Sequence, residues 1–181
     1  MCGIAGLLAP GADPRQITAR VKDATGRLKH RGPDDEGFYE EGPLCLGHRR
    51  LVVIDPTGGI QPWKDEEGRL VCVFNGEIYN HKELRKSLEA EGEKFRTRSD
   101  TEVLAKAFIR WKEKAFDRLD GMFAAAFWSP KEKLLTLARD RAGEKPLFFF
   151  EGAIGQKGFG FSSEVFSLLA LLDQTPAVDP A

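Results

Sequence analysis

The sequence predicts an α+β protein in which two mainly antiparallel β-sheets pack together with helices outside. Three observations carry this. Short apolar runs separated by turn residues cluster between helical blocks. The order reads strand, helix, several strands, two helices, several strands and a final helix, which groups whole sheets between helices. A regular alternation of single strands with single helices is missing from the pattern, so a doubly wound parallel sheet is not expected.

Gly3 to Leu8 is short, apolar and glycine-punctuated, and reads as a buried strand. Asp13-Pro14 offers an N-cap followed by proline at the first helical position, after which Ile17, Val21, Ala24 and Leu28 recur at helical spacing. His30-Arg31-Gly32-Pro33-Asp34 breaks that helix. Phe38-Tyr39, Leu44-Cys45-Leu46, Leu51-Val52-Val53-Ile54 and Leu70-Val71-Cys72-Val73-Phe74 read as strands. Asn80 to Glu91 is helical, and Ser99-Asp100-Thr101-Glu102 has the capping-box pattern that opens another helix with Val103, Leu104, Ala107, Phe108 and Trp111 on one face. Strands follow at Met122 to Trp128, Leu134 to Arg139, Leu147 to Phe150 and Gly158 to Ser162, with a hairpin turn at Ser129-Pro130-Lys131. A short helix over Glu164 to Leu172 closes the expected domain, residues 1–172. The two-proline stretch at 173–181 reads as a tail or the start of a linker.

Composition narrows the class. The 181 residues are 41% hydrophobic and 30% charged, enough for a core in an ordinary soluble balance. With 27 Lys and Arg against 28 Asp and Glu and no single-sign block, neither a nucleic-acid nor a membrane partner is expected. No apolar run nears the roughly 18 residues that span a bilayer. The apolar start is broken by Gly3, Gly6 and Pro10, so no signal peptide is expected. Cys2, Cys45 and Cys72 are too few for a disulfide framework and fit a cytoplasmic protein. They share no metal-ligand spacing with His30, His48 and His81, and no metal site is expected.

Four places suggest chemistry. Cys2 lies directly behind the initiator methionine. Removal of Met1 joins a thiol titrating near ~8.5 to an α-amine titrating near ~7.7–8.0, which makes nucleophile and base one residue. Cys2 can equally be a small buried residue opening a strand. A β run ends at Asn75-Gly76, where a side-chain amide beside a glycine N–H forms a compact donor pair able to hold an oxyanion; the dipeptide alone favours a hairpin turn. Arg50 precedes the apolar run Leu51 to Ile54, and at the mouth of a core its fork could grip a carboxylate. Its neighbour Arg49 reads as a solvated strand end. Asp100 suits a helix dipole or an ammonium group.

These segments, with Gly47-His48-Arg49-Arg50-Leu51, Phe74-Asn75-Gly76-Glu77-Ile78-Tyr79-Asn80, Leu119-Asp120-Gly121-Met122-Phe123, Arg139-Asp140-Arg141 with Lys145-Pro146-Leu147, and Ser162-Ser163-Glu164, run in order from Cys2 to about Leu172. The chain thereby resembles the N-terminal glutaminase domain of glutamine-hydrolysing asparagine synthetases, among the class II, N-terminal-nucleophile glutamine amidotransferases. The resemblance implies a four-layer αββα sandwich and hydrolysis of L-glutamine to L-glutamate and ammonia through a Cys2 thioester. It implies Asn75 and Gly76 as the oxyanion hole, Arg50 on the α-carboxylate, Asp100 on the α-ammonium, and Glu77, Leu51 and Val53 as pocket lining. His30 to Asp34 would shape the pocket, and Arg139 to Leu147 would support the core.

Synthetases of this family continue into an ATP- and Mg-dependent domain with a Ser-Gly-Gly-x-Asp loop, and the sequence carries no such loop. No cofactor is therefore expected in this chain, and ammonia is expected to pass to a separate synthetase domain or subunit. The apolar stretch Leu168 to Leu172 and the Trp63 region could meet that partner, although core packing suits the former better. Two alternatives stand beside this reading: a non-catalytic glutamine-binding or assembly module if Met1 is retained, and the glutaminase of a sister class II enzyme with another nitrogen acceptor.

Overall fold

The computed structural model describes residues 1–52, 55, 58–153 and 158–174. The elements are β1 (Gly3–Leu8), α1 (Pro14–Arg27), β2 (Asp35–Glu41), β3 (Leu44–Arg50), β4 (Trp63–Lys64), β5 (Val71–Ile78), α2 (His81–Ala90), α3 (Asp100–Trp111), a 3-10 segment (Lys112–Arg118), β6 (Gly121–Ser129), β7 (Leu134–Arg139), β8 (Phe148–Ala153), β9 (Gly158–Ser162) and α4 (Val165–Leu169). One sheet has the order β2-β3-β1-β9-β8 and the other β4-β5-β6-β7. Every pairing in both is antiparallel.

The period-two alternation of the strands builds three apolar layers. Ile4, Leu44 and Leu46 of the first sheet meet Val71, Val73, Ala126 and Trp128 of the second. On the outer face of the first sheet, Ala5, Leu7 and Cys45 pack under Ile17, Val21 and Leu28 from the α1 region and under Leu168 of α4. On the outer face of the second, Phe74 and Phe127 pack under Leu88 of α2 and Leu104 and Phe108 of α3. Phe108 and Phe127 stack with ring centroids 4.3 Å apart. The result is the αββα sandwich. Among the described residues no helix is long and apolar enough to cross a membrane.

Local chemistry explains the helix starts. Asp13 accepts from Arg15 N at 2.9 Å ahead of Pro14. Ser99 caps α3 by accepting from Thr101 N at 3.2 Å. The capping box expected at Ser99 to Glu102 does not close. The buried Glu102 carboxylate instead accepts from Arg96 N, Thr97 N and Thr97 Oγ1, which ties the preceding loop to the helix.

Other expectations are corrected. The strand at the double arginine is β3, which ends at Arg50 rather than beginning after it. Leu51 and Val52 are outside any strand, and Val53 and Ile54 lie outside the described residues. Asn75-Gly76 is no turn: both residues sit within β5, opposite Ala124 and Phe123 of β6. Glycine is needed there for close approach, since a Cβ on Gly76 would lie 2.1 Å from Met122 O and 2.7 Å from Phe123 Cα. Trp63 itself is 5% exposed and belongs to the outer core of the second sheet, while nearby Ile60 is exposed. Leu168 and Leu171 pack against the α1 layer. The closing helix is shorter than expected, and the tail from 175 onward lies outside the described residues.

A polar clasp joins the two sheets at one end. Glu41 of β2 accepts from Tyr39 Oη and Trp128 Nε1, both at 2.7 Å, and from Lys133 Nζ at 2.6 Å. The Lys133 bond and the two neutral donors pull its carboxyl down to about 2. A folded-state value below the usual ~4.3 means stabilisation that is complete above that pH and lost as pH falls through about 2. Glu41→Gln should therefore cost about 1.5–3 kcal/mol near pH 7, and the gap from wild type in denaturant titrations should close between pH 4 and 2. Gly76→Ala should lower the melting temperature through about 1–3 kcal/mol of overpacking, because the atoms it meets are backbone.

Candidate active site

The inner faces of both sheets change from apolar to polar at the same end. Along β3, Leu44 and Leu46 give way to His48 and Arg50; along β5, Val71 and Val73 give way to Asn75 and Glu77. There the layers enclose a cavity of about 150 Å³ bordered by Cys2, Arg50, Asn75, Gly76, Glu77 and Asp100. The structure thus gathers seven of the eight residues singled out in the sequence, with Leu51 also on the wall. Val53, the eighth, lies outside the described residues.

Cys2 enters just ahead of β1. Its Sγ accepts from Leu51 N at 3.4 Å and approaches Leu51 O at 3.7 Å. Burial pushes the thiol up; the Leu51 contact, the N-terminal ammonium and Arg50 pull it down, and Asp100 opposes them. Arg31, from the loop expected to shape the pocket, donates from Nε to Cys2 O at 2.9 Å and from Nη1 to Glu164 Oε1 at 2.9 Å. Ser163 Oγ accepts from Ile4 N at 2.9 Å. The Cys2 carbonyl, through Arg31, and Ile4 are thereby tied to the Ser163-Glu164 segment near the other end of the chain.

The donors of Asn75 and Gly76 follow from the edge of β5. Phe123 directs its N–H to Asp140 Oδ2 and its C=O to Asp140 N, away from β5. Its partner Gly76 therefore points its own N–H away from β6, toward the other edge. On that edge β4 covers Val71 and Cys72 only. Phe74 is covered by the Gln61 side chain, and Ile78 N by Asp100 Oδ2 at 3.1 Å. Gly76 lies between these two and borders the cavity. Asn75 is 1% exposed, and its Nδ2 is buried with no partner among the described residues. Asn75 and Gly76 thus border one small space, and the buried Asn75 amide finds no acceptor among the described residues.

Charge surrounds them. Arg50, 6% exposed, donates from Nη2 to Asp55 O at 2.8 Å. Asp55, at φ 47, in turn accepts from Gly58 N and Arg98 N and holds the wall loop against the start of α3. Asp100 is 5% exposed at the first turn of α3; burial raises its carboxyl, and the Ile78 N–H lowers it. Its second task, closing the β5 edge, was not evident from the sequence.

Three further residues were missed. Gln61 and Thr101 border the cavity; Gln61 lies in a loop with no periodic signal. Lys145, assigned only to support, also borders it, 6% exposed, with Nζ 3.2 Å from Met1 Sδ. The support role falls to Asp140, which gathers the N–H groups of Phe123, Glu144 and Lys145. Among the described residues no group of His, Cys, Asp and Glu could hold a metal ion.

Comparison with known proteins identifies the family. The model of the glutamine amidotransferase domain matches residues 1–181. Asparagine synthetase [glutamine-hydrolyzing] 3 of Bacillus subtilis is 41% identical over 99% of this chain and 29% of that protein. Asparagine synthetase [glutamine-hydrolyzing] 1 of Arabidopsis thaliana is 41% identical over 86% of this chain and 26% of that protein. The chain thus spans under a third of the length of these relatives. Among solved structures, the glutamine phosphoribosylpyrophosphate amidotransferase of Bacillus subtilis, complexed with ADP and GMP, superposes with a TM-score of 0.76 at 21% identity, covering 94% of this chain and 43% of that one; this likeness speaks for the fold. On the full-length family match and the 41% identity to glutamine-hydrolysing synthetases, the chain belongs to the glutamine amidotransferase domain family.

Proposed function

We propose that this domain is the glutaminase part of an asparagine-synthetase-like amidotransferase and hydrolyses L-glutamine to L-glutamate and ammonia. The observation that carries the reading is that Cys2, Gly76 and Asn75, whose Nδ2 has no partner among the described residues, border one cavity with Arg50 and Asp100. At about 150 Å³ the cavity is well below the roughly 300–1,000 Å³ of drug-sized sites and suits a single amino acid.

Arg50 takes the α-carboxylate and Asp100 the α-ammonium, which fixes the reach of the substrate's side-chain amide. Glu77 and Leu51 line that reach. Once Met1 is removed, the Cys2 α-amine accepts the thiol proton and the thiolate attacks the amide carbon. The oxyanion that forms is held by Asn75 Nδ2 and the Gly76 N–H. The amine, now protonated, returns its proton to the departing nitrogen, the C–N bond breaks, and ammonia leaves a glutamyl thioester. Water activated by the same amine attacks the thioester carbon, the C–S bond breaks, and glutamate and the thiol are restored.

Ammonia then serves an ATP- and Mg-dependent synthetase domain or subunit outside this chain, which selects the acceptor. The similarity to full-length synthetases supports this step. A chain that keeps Met1 has an amide in place of the base and binds glutamine without turnover.

The test is glutamate release by protein whose intact mass confirms loss of Met1. Cys2→Ala should abolish release, and absence of release from the processed wild type with glutamine in excess would sink the reading. Asn75→Ala should lower kcat about 10²–10³-fold, the usual loss for one oxyanion donor. Arg50→Ala should act mainly on KM, because its contact is the same in ground and transition states.

A further inference from the structure

We propose that Gln61 is a positioning residue for the oxyanion donors: its side-chain amide stands in for one residue of a missing strand beside Phe74 and so keeps Asn75 and Gly76 aimed at the cavity. The inference rests on the glutaminase reading above and deepens it.

The geometry is reciprocal. Phe74 N donates to Gln61 Oε1 at 2.6 Å, and Gln61 Nε2 donates to Phe74 O at 3.1 Å. One acceptor and one donor meeting the N–H and C=O of one residue is what a paired strand residue supplies. The amide orientation is fixed by this exchange, since a flip would set donor against donor and acceptor against acceptor. Gln61 Nε2 also donates to Thr101 Oγ1, at the start of α3, with a donor–acceptor distance of 3.5 Å. His48, buried on the inner face of β3, brings Nε2 to 3.2 Å from the same Phe74 O. Burial keeps its ring neutral, with its value pushed down to about 3, so Nε2–H is the donor. The Phe74–Asn75 peptide is therefore held by His48 from β3 and by Gln61 from the loop ahead of β4.

A side chain does here what a strand would undo. Had the backbone of β4 run on past Phe74, its next carbonyl would have covered Gly76 N–H. An amide side chain covers one residue and stops. The Gln61 backbone is seated in turn by Gly37 of β2, where a Cβ would lie 2.0 Å from Gln61 O. Gln61 is 7% exposed and shares the cavity with the ionisable groups Cys2, Arg50, Glu77, Asp100 and Lys145.

Two variants of the processed chain test the proposal. Gln61→Ala should lower kcat for glutamate release on the order of 10–100-fold, as expected of a small misplacement at a reacting centre, with KM within about twofold because Arg50 and Asp100 are untouched. Gln61→Glu restores the exchange only when its carboxyl is protonated and can donate to Phe74 O. Its activity relative to wild type should be highest at low pH and fall as pH rises through the titration of the new buried acid, a profile that Gln61→Ala lacks. An unchanged kcat in Gln61→Ala, a KM effect equal to the kcat effect, or a flat Gln61→Glu ratio overturns the proposal. Amide exchange read by NMR stands apart from activity: Phe74 N–H should exchange at least tenfold faster in Gln61→Ala while Cys72 N–H stays protected. If the processed wild type proves inactive, the glutaminase reading falls, and equal protection of Phe74 in both proteins overturns the structural role of Gln61 as well. Should Gln61→Ala not fold, Gln61→Glu carries both measurements.

Discussion

The free edge of β5 is the constraint on which the site depends. A buried strand must find partners for every backbone N–H and C=O. β6 satisfies one side of β5 along its length, but β4, on the other side, is only two residues long. The remainder of that edge is closed by side chains, Gln61 at Phe74 and Asp100 at Ile78. Between them the Gly76 position opens on the cavity. Glycine is required there on independent grounds, because β6 approaches too closely for any side chain. Close approach on one side and an interrupted edge on the other leave a backbone donor at the border of the cavity.

The second requirement is that the sandwich interior become polar at one end without losing its packing. It does so by continuing the alternation of β3 and β5 with polar residues after their apolar halves. An amide left unpartnered in such a place costs about 1–3 kcal/mol, and Asn75 Nδ2 is such a group among the described residues. That cost is tolerable in a molecule whose three apolar layers bury side chains as large as Trp128 and Phe127 at about 1.5–3 kcal/mol each. On the proposed reading it is also recovered during turnover, when the reacting carbonyl oxygen supplies the missing acceptor.

Much of the fold was legible because it rests on local signals. The period of α1, its Asp13-Pro14 start and the alternation of β5 and β6 each follow from residues adjacent in sequence. What escaped notice depends on contacts distant in the chain. Asn75-Gly76 has the composition of a turn, and only the pairing with Ala124 and Phe123 makes it strand. Leu51 to Ile54 has the composition of a strand, yet the ladder of β3 has already ended at Arg50. Cys2, Asn75, Arg50 and Asp100 could be singled out because their chemistry is distinctive. Gln61 carries no charge, lies in no periodic segment and acts through its neighbour's backbone, so only the three-dimensional contact reveals it.

The environment of Cys2 follows from the same burial. Enclosure alone disfavours a thiolate, and the groups opposing it are the N-terminal ammonium, Arg50 and the Leu51 N–H. With Met1 in place the N-terminal charge sits one residue away, and the Cys2 nitrogen is an amide without basicity. Loss of Met1 moves the ionisable amine onto Cys2 and removes the thioether that Lys145 meets. The base is then as close to the sulfur as covalent structure permits. Arg31, which anchors the Cys2 carbonyl, keeps this new terminus from fraying as chain ends ordinarily do. On the proposed reading, the sandwich places the thiol before it is competent, and removal of Met1 supplies the base.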